Sequence, residues 1–353
     1  MNSHAIFGLN PMWLSGIILV IVYIILILEK LNRAVIALFG AMLMIYCGLL
    51  SQAQALEKVD FNTLWLLTGM MMLVNITAKT GVFQYVAIRS AKWVRADPVG
   101  IMLMLAGITA LFSALLDNVT TVLLITPVTL LITEQLKVRA FPYLFATILA
   151  SNIGGTATLI GDPPNIIIGS KNDLSFGEFI YHMTPIALIV MLAVCFVLWL
   201  IHRRNLKTTL RARAAIMRFN EKDAITDVRL LKKCAFVFAL VLLGFFVGHP
   251  LGVEPGTVAL SGAALLMLLA YGCYPAEKQT ENVHHAFAEV EWITIFFFMG
   301  LFIIVGAVEQ SGFLDVLGHK LVAATEGNVP KMAYAVLWVS AILSSVLDNI
   351  PFV

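Results

Sequence analysis

Ser113-Ala-Leu-Leu-Asp-Asn-Val119 and Ser344-Ser-Val-Leu-Asp-Asn-Ile350 are the stretches on which the reading of this chain turns. They lie 231 residues apart, and the same shift takes Val59 to Val290, Thr63 to Thr294, Gly69 to Gly300 and Gly81 to Gly312 without a gap. Each copy closes an apolar run with a carboxylate and an amide, Asp117-Asn118 in the first and Asp348-Asn349 in the second. A carboxylate at membrane depth is costly unless it lines a cavity or holds an ion. A repeat of this kind in an apolar chain predicts a transporter built from two structural repeats.

The composition fits a membrane. The chain is 60% hydrophobic and 12% charged, with a mean hydropathy of +0.92. A soluble domain carries about a quarter charged residues. Apolar runs of roughly spanning length follow one another. The first, Met12 to Leu28, has no basic residue ahead of it and leads into further runs, so it reads as a span rather than a cleaved leader. Cys47, Cys195, Cys234 and Cys273 are scattered without metal-ligand spacing and read as small packing residues. The absence of a Walker motif excludes ATP hydrolysis by the motif's mechanism.

The apolar pattern predicts helices near 12–29, 34–50 and 62–80, then an interfacial amphipathic piece near 82–95. The stretch 99–133 is broken at Asp117-Asn118 and Pro127, and reads either as two full spans or as a re-entrant hairpin. Arg89, Lys92 and Arg95 precede it and Lys137 and Arg139 follow it, so both flanks look cytoplasmic. The turn, Leu115-Leu-Asp-Asn-Val-Thr-Thr-Val122, is mostly apolar, which favours the hairpin over a loop in water. A broken helix over 141–171 and a helix over 183–201 complete repeat one, residues 1–202. The connector 203–233 holds ten of the chain's 23 Lys and Arg residues and reads as a solvated cytoplasmic determinant of topology, rather than a nucleic-acid or lipid-binding segment. Helices near 234–249, 256–273, 291–309 and 331–347 follow, with a loop at 274–289 carrying His284-His285 and a second interfacial stretch at 313–325. Walking the sides outward from the connector gives the second hairpin the opposite direction of entry. The expected fold is therefore an all-α polytopic membrane protein of inverted structural repeats, with re-entrant hairpins and broken transmembrane helices. Repeat two, 234–353, stops inside its hairpin tip, so the C-terminal part of that repeat is expected to be missing.

Chemistry concentrates in Ser151-Asn-Ile-Gly-Gly-Thr-Ala-Thr-Leu-Ile-Gly-Asp-Pro-Pro-Asn165. Gly154, Gly155, Gly161, Pro163 and Pro164 cannot sustain one continuous helix. A helix broken in mid-membrane frees carbonyls for a cation and a helix N-terminus for an anion. Ser151, Asn152, Thr156, Thr158 and Asn165 add neutral polar groups. The plainer alternative is a packing kink. Asp117 and Asn118, with Thr120 and Thr121 in the next turn, offer oxygen ligands for Na⁺ or a carboxylate for H⁺ exchange. Asp117 as a helix N-cap is the compatible alternative. Asp162 reads equally as ligand or cap. Met70-Met-Met72 reads as lipid-facing or core packing.

At these residues the chain resembles the ion-transporter superfamily of citrate-transporter-like permeases, which includes bacterial arsenite pumps, NhaD-type sodium/proton antiporters, the melanosomal P protein and the divalent-anion/sodium symporters. Leu116-Asp-Asn-Val-Thr-Thr-Val-Leu-Leu-Ile-Thr-Pro127 and Asn152 to Asn165 look most like the P-protein and NhaD-like branch. Where the symporters have Ser-Asn-Thr at the hairpin tip, this chain has Asp117-Asn118 before Val119-Thr120, which argues against dicarboxylate binding. The resemblance implies a homodimer with a scaffold part and a moving transport part. It implies one ion site, for Na⁺, at Asn118, Gly154 and Thr156, and a second at Asp348-Asn349. The expected function is a secondary transporter of the inner membrane, coupled to H⁺ or Na⁺, moving Na⁺, arsenite or antimonite, or a small anion. The alternatives are a channel-like subunit driven by a cytoplasmic ATPase and a sodium-coupled di- or tricarboxylate symporter. The expected partners are the lipid bilayer, the ion carried, a second copy of the chain and, on the channel alternative, a cytoplasmic ATPase; nucleic acid is not expected.

Overall fold

The computed structural model describes residues 9–172 and 174–344, and Asp348-Asn349 lie outside them. The described residues form helices α1 (Pro11–Ile27), α2 (Arg33–Tyr46), α3 (Gln52–Glu57), α4 (Phe61–Ala78), α5 (Val82–Trp93), α6 (Pro98–Ser113), α7 (Asn118–Leu136), α8 (Phe141–Gly155) and α9 (Pro163–Lys171). These are followed by α10 (Phe176–His202), α11 (Leu210–Met217), α12 (Val228–Gly248), α13 (Pro255–Tyr271), α14 (Ala276–Ala288), α15 (Trp292–Gln310), α16 (Phe313–Ala324) and α17 (Val329–Ser344). No strand occurs among the described residues. Among the described residues, five segments are long and apolar enough to cross a bilayer: Phe61–Ala78, Asn118–Leu136, Phe176–His202, Val228–Leu251 and Trp292–Gln310. With the shorter apolar helices between them, they make this a multi-pass membrane protein.

Local chemistry sets the helix ends. Asp97 caps α6 by accepting the Gly100 N–H at 2.9 Å, with Pro98 in the first position, where its missing N–H costs nothing. Ser175 and Glu178 close a reciprocal capping box on α10. α4 and α15 each end at a left-handed glycine, Gly81 at φ 77° and Gly312 at φ 78°, and each is followed by a 12-residue helix.

The chain divides into two compact units. In the unit of residues 1–64 and 291–353, α15 lies directly on α2. Gly300 makes this possible, since a side-chain carbon there would stand 2.6 Å from the backbone of Ala37. Gly40 sits against Val22 of α1 and Ile304 of α15. Arg33 places its guanidinium 5.4 Å from the Phe297 ring centre and donates to Thr294 at 2.9 Å. In the unit of residues 65–290, Gly69 of α4 meets the backbone of Ala259 on α13 in the same way, also at 2.6 Å. Gly262 of α13 sits against Val241 of α12 and Leu73 of α4. In a bilayer such small-residue contacts replace the hydrophobic drive that lipid removes.

The core of the second unit lies among α5, α6, α7, α8, α10 and α11, with Met102, Leu105, Ile132, Tyr143, Ala146 and Ile216 wholly buried. Met70, Met71 and Met72 are buried too, so they pack inside rather than face lipid. Two expectations need correction. Residues 276–288 form a helix, not a loop, and His284-His285 lie on it. The connector 203–233 is not simply solvated: it folds into α11, a 3-10 turn at Glu221–Ala224 and the start of α12, and its Ile216 is buried. Residues 141–171 form two separate helices, with Thr156–Asp162 between them.

Candidate functional site

Two interruptions meet in the second unit: the turn between α6 and α7, and the break between α8 and α9. Asp117 occupies the N-cap of α7, its Oδ2 accepting the Thr120 N–H at 2.8 Å, and both residues are buried. Asn118 opens α7 and donates through Nδ2 to Oδ1 of Asn152 on α8 at 3.1 Å. Thr121, in the same first turn, is wholly buried, and its hydroxyl has no hydrogen-bond partner.

The break is pressed onto the turn by hydrogen bonds from both sides. Ser113 Oγ, in the last turn of α6, donates to the Ser151 carbonyl at 2.7 Å. Thr158 Oγ1 donates to the carbonyl of Ala114 at 2.5 Å. Ser151 and Thr156 turn their hydroxyls back onto the Ile148 and Ile153 carbonyls, at 2.9 and 2.7 Å. Asn165, buried in the first turn of α9, donates to both Gly155 O at 2.9 Å and Thr158 O at 2.8 Å, and so satisfies carbonyls freed by the break.

The glycines are there for proximity. A side-chain carbon on Gly154 would overlap the Ala110 carbonyl and lie 2.5 Å from its Cα. One on Gly161 would lie 2.5 Å from Gly155 O and 2.6 Å from Ser113 O. Ala146, Ala150 and Gly154 repeat every fourth residue along α8, the spacing that brings two membrane helices into backbone contact. Asp162 is buried ahead of Pro163 and Pro164, the first two residues of α9, but its side chain does not cap that helix.

The structure thus brings Asp117, Asn118, Thr120 and Thr121 together with Ser151, Asn152, Gly154, Gly155, Thr156, Thr158, Gly161 and Asn165. Sequence reasoning passed over Ser113 as a member of this group. Its recurrence at Ser344 was the available signal. The donor set is oxygen-rich, which suits a hard monovalent cation, and the partnerless Thr121 hydroxyl fits it. Among the described residues no three of His, Cys, Asp and Glu gather as they would for a transition metal.

Comparison with known proteins agrees with this architecture. An uncharacterized transporter of Mycobacterium tuberculosis is 40% identical over 343 residues, 95% of this chain and 77% of that protein. An uncharacterized transporter of Synechocystis is 27% identical over the whole chain and 76% of its own length. The human P protein is 30% identical over 94% of this chain and 48% of its own. The family model described as citrate transporter (CitMHS) matches residues 23–353, and the chain belongs to that family of membrane transporters.

Proposed function

We propose that this chain is a secondary transporter coupled to Na⁺ or H⁺, with the coupling ion held where the α6–α7 turn meets the α8–α9 break. The observation that carries this reading is the burial of that turn. Leu116 is 3% exposed and Asp117 is 7% exposed, so the carboxylate end of the turn is covered by protein, while Ala114 and Leu115 are half-buried and Val119 is exposed. A loop joining two full spans lies in water. A buried turn carrying a carboxylate beside freed carbonyls and an orphan hydroxyl is suited to an ion that sheds its water.

On this reading α6 and α7 form a re-entrant hairpin. Their ends away from the tip carry the cations of the connector side; α6 at 16 residues rises about 24 Å, short of a full span, while α7 at 19 residues is long enough to cross, so the hairpin reading rests on the turn rather than on length. Asn118 and the carbonyls from Gly154 to Thr156 supply neutral ligands, and Asp117 supplies the charge. The helix pairs α2–α15 and α13–α4, with their matching glycines at Gly40, Gly262, Gly300 and Gly69, support two repeats of one design, whose opposite orientation rests on the charge pattern. A homodimer and placement in the inner membrane complete the reading.

The family's description makes citrate a candidate substrate, beside arsenite or antimonite, Na⁺ and other small anions. A multiply charged anion next to ionised Asp117 is repelled unless a cation or proton neutralises it, so coupling and substrate are tied. The test is uptake into ATP-free proteoliposomes of citrate, arsenite, chloride and Na⁺ under imposed Na⁺ or H⁺ gradients. Accumulation that follows one gradient is expected. Downhill flux indifferent to both gradients would replace this reading with a channel.

A further inference from the structure

The connector residues Arg203 to Arg218 contain six cations and no acidic residue. The structure shows where those charges go. Arg213 alone is drawn inward, to pair with Asp97 at the head of α6. Thr208 Oγ1 donates to the last carbonyl of α7, Leu136 O, at 2.6 Å, and Ala212 and Ile216 bury the inner face of α11. This docking leaves Arg203, Arg204, Lys207, Arg211 and Arg218 exposed.

The same end of this unit gathers the cations that flank the other helices. Arg89 and Arg95 border the end of α5, and Lys137 and Arg139 lie between α7 and α8; all four are exposed. Two of the acidic groups there are paired: Asp97 holds Arg213, and Glu221 holds Lys92 at 2.5 Å, while Glu134 and Asp223 are exposed. Aromatic and apolar side chains stand among the cations. Trp93 is 73% exposed and Leu210 83% exposed, and the Arg203 guanidinium lies 4.7 Å from the Trp199 ring centre. On α11, Leu210, Arg211, Ala214, Met217 and Arg218 form one outward stripe, opposite the face that Ala212 and Ile216 bury.

We infer that this end of the unit is a binding surface for anionic phospholipid headgroups of the membrane that the chain spans. Three observations commit it to lipid. Arg203 and Arg204 directly follow α10, a 27-residue span, which sets them at headgroup depth. Exposed tryptophans beside cations mark the membrane–water interface. Exposed cations outnumber exposed carboxylates over several helix ends, with Glu134 and Asp223 among nine exposed Lys and Arg residues, which complements a charged sheet of phosphates. Bound lipid would hold α11, and through it the bases of α6 and α7, against the bilayer.

The test is native mass spectrometry of the protein released from nanodiscs of phosphatidylcholine containing a minority of phosphatidylglycerol. Retention of phosphatidylglycerol above its bulk fraction is expected, with a loss of about fivefold in affinity per arginine in an R211Q/R218Q variant. That variant leaves Arg203, Arg204 and Lys207 beside the span, so insertion is preserved, and K320Q on α16 serves as the control that keeps full retention. Equal retention of the two lipids, or full retention by R211Q/R218Q, overturns the inference. Capture of a soluble acidic protein by a chain with no lipid preference overturns it equally.

Discussion

At the residue scale, Asp117 caps α7, and the proposed ion site gives it a second duty that one substitution separates from the first. As N-cap it satisfies a backbone donor, and asparagine does that equally well. As a carboxylate it supplies charge, and asparagine does not. Asp117→Asn is therefore expected to fold and insert normally while losing gradient-driven transport. Asp117→Ala loses the cap as well, at about 1 kcal/mol. Uptake in proteoliposomes and a thermal melt distinguish the two, and undiminished coupled transport by the Asn variant across pH would leave Asp117 a cap alone. Gly154 makes a second test. Gly154→Ala forces a methyl into the Ala110 backbone and is expected to cost about 1–3 kcal/mol. Gly107→Ala, with nothing within 4 Å, is expected to be neutral or stabilising by up to about 1 kcal/mol. Equal melting temperatures for the two variants would contradict the close contact.

Among elements, the left-handed corners at Gly81 and Gly312 look alike but are held differently. Ala224 O lies directly over Gly81, while the nearest group to Gly312 is an Asp315 carboxylate oxygen, 3.9 Å from a built side-chain carbon. Thr226 fastens the same corner of α5, its N–H donating to Thr80 O at 3.0 Å and its hydroxyl to Lys79 O at 2.6 Å. Both Ala variants incur the left-handed strain of about 1–2 kcal/mol, and Gly81→Ala is expected to cost more because the connector must also move. The comparison needs only two melts. Lys92 holds the Glu221 carboxyl below the usual carboxylate range, first through their hydrogen bond. A depressed pKa stabilises the docked connector above the unfolded value, near 4.3, and that contribution is lost as pH falls through the lower folded value. The protection of residues 219–226 against hydrogen exchange, taken relative to the intrinsic rate at each pH, should therefore fall on acidification below about pH 4, and less so in Glu221→Gln, which has no charge to lose.

The elements also show what the sequence could and could not reveal. Helix ends marked by Asp-Pro, Asp-Asn or a Ser/Glu box were legible, because the cap is a local hydrogen bond. The break at Thr156–Asp162 was legible from its glycines and prolines. The packed connector was not, because its charge hides Ala212 and Ile216, whose burial depends on distant helices. Helix α14 was missed for a similar reason: its residues are polar, and little but Ala286 is buried. Thr121's orphan hydroxyl has no signature at all, since threonines in membrane helices usually bond back to their own turn.

For the whole molecule, two of the close helix contacts match across the units. Gly69 meets Ala259 in one unit as Gly300 meets Ala37 in the other, with a built side-chain carbon 2.6 Å from backbone in both. If the two repeats share one design, Gly69→Ala and Gly300→Ala should destabilise by similar amounts, about 1–3 kcal/mol each, and additively, since they lie in separate units. Thermal unfolding of the single and double variants in detergent measures this, and a strongly unequal pair would show that the repeats have diverged in what they support.

The backbone seam of Gly154 on Ala110 and Gly161 on Ser113 has an electrical consequence. Where main chain touches main chain no water fits, and a dry layer is where most of a membrane voltage drops. A unit charge carried the full way past such an insulator does work of about 2.3 kcal/mol per 100 mV. The small residues that let α6 and α8 close on one another therefore also make this seam a dielectric barrier, across which the cell's resting potential would act on an ion released from the proposed site.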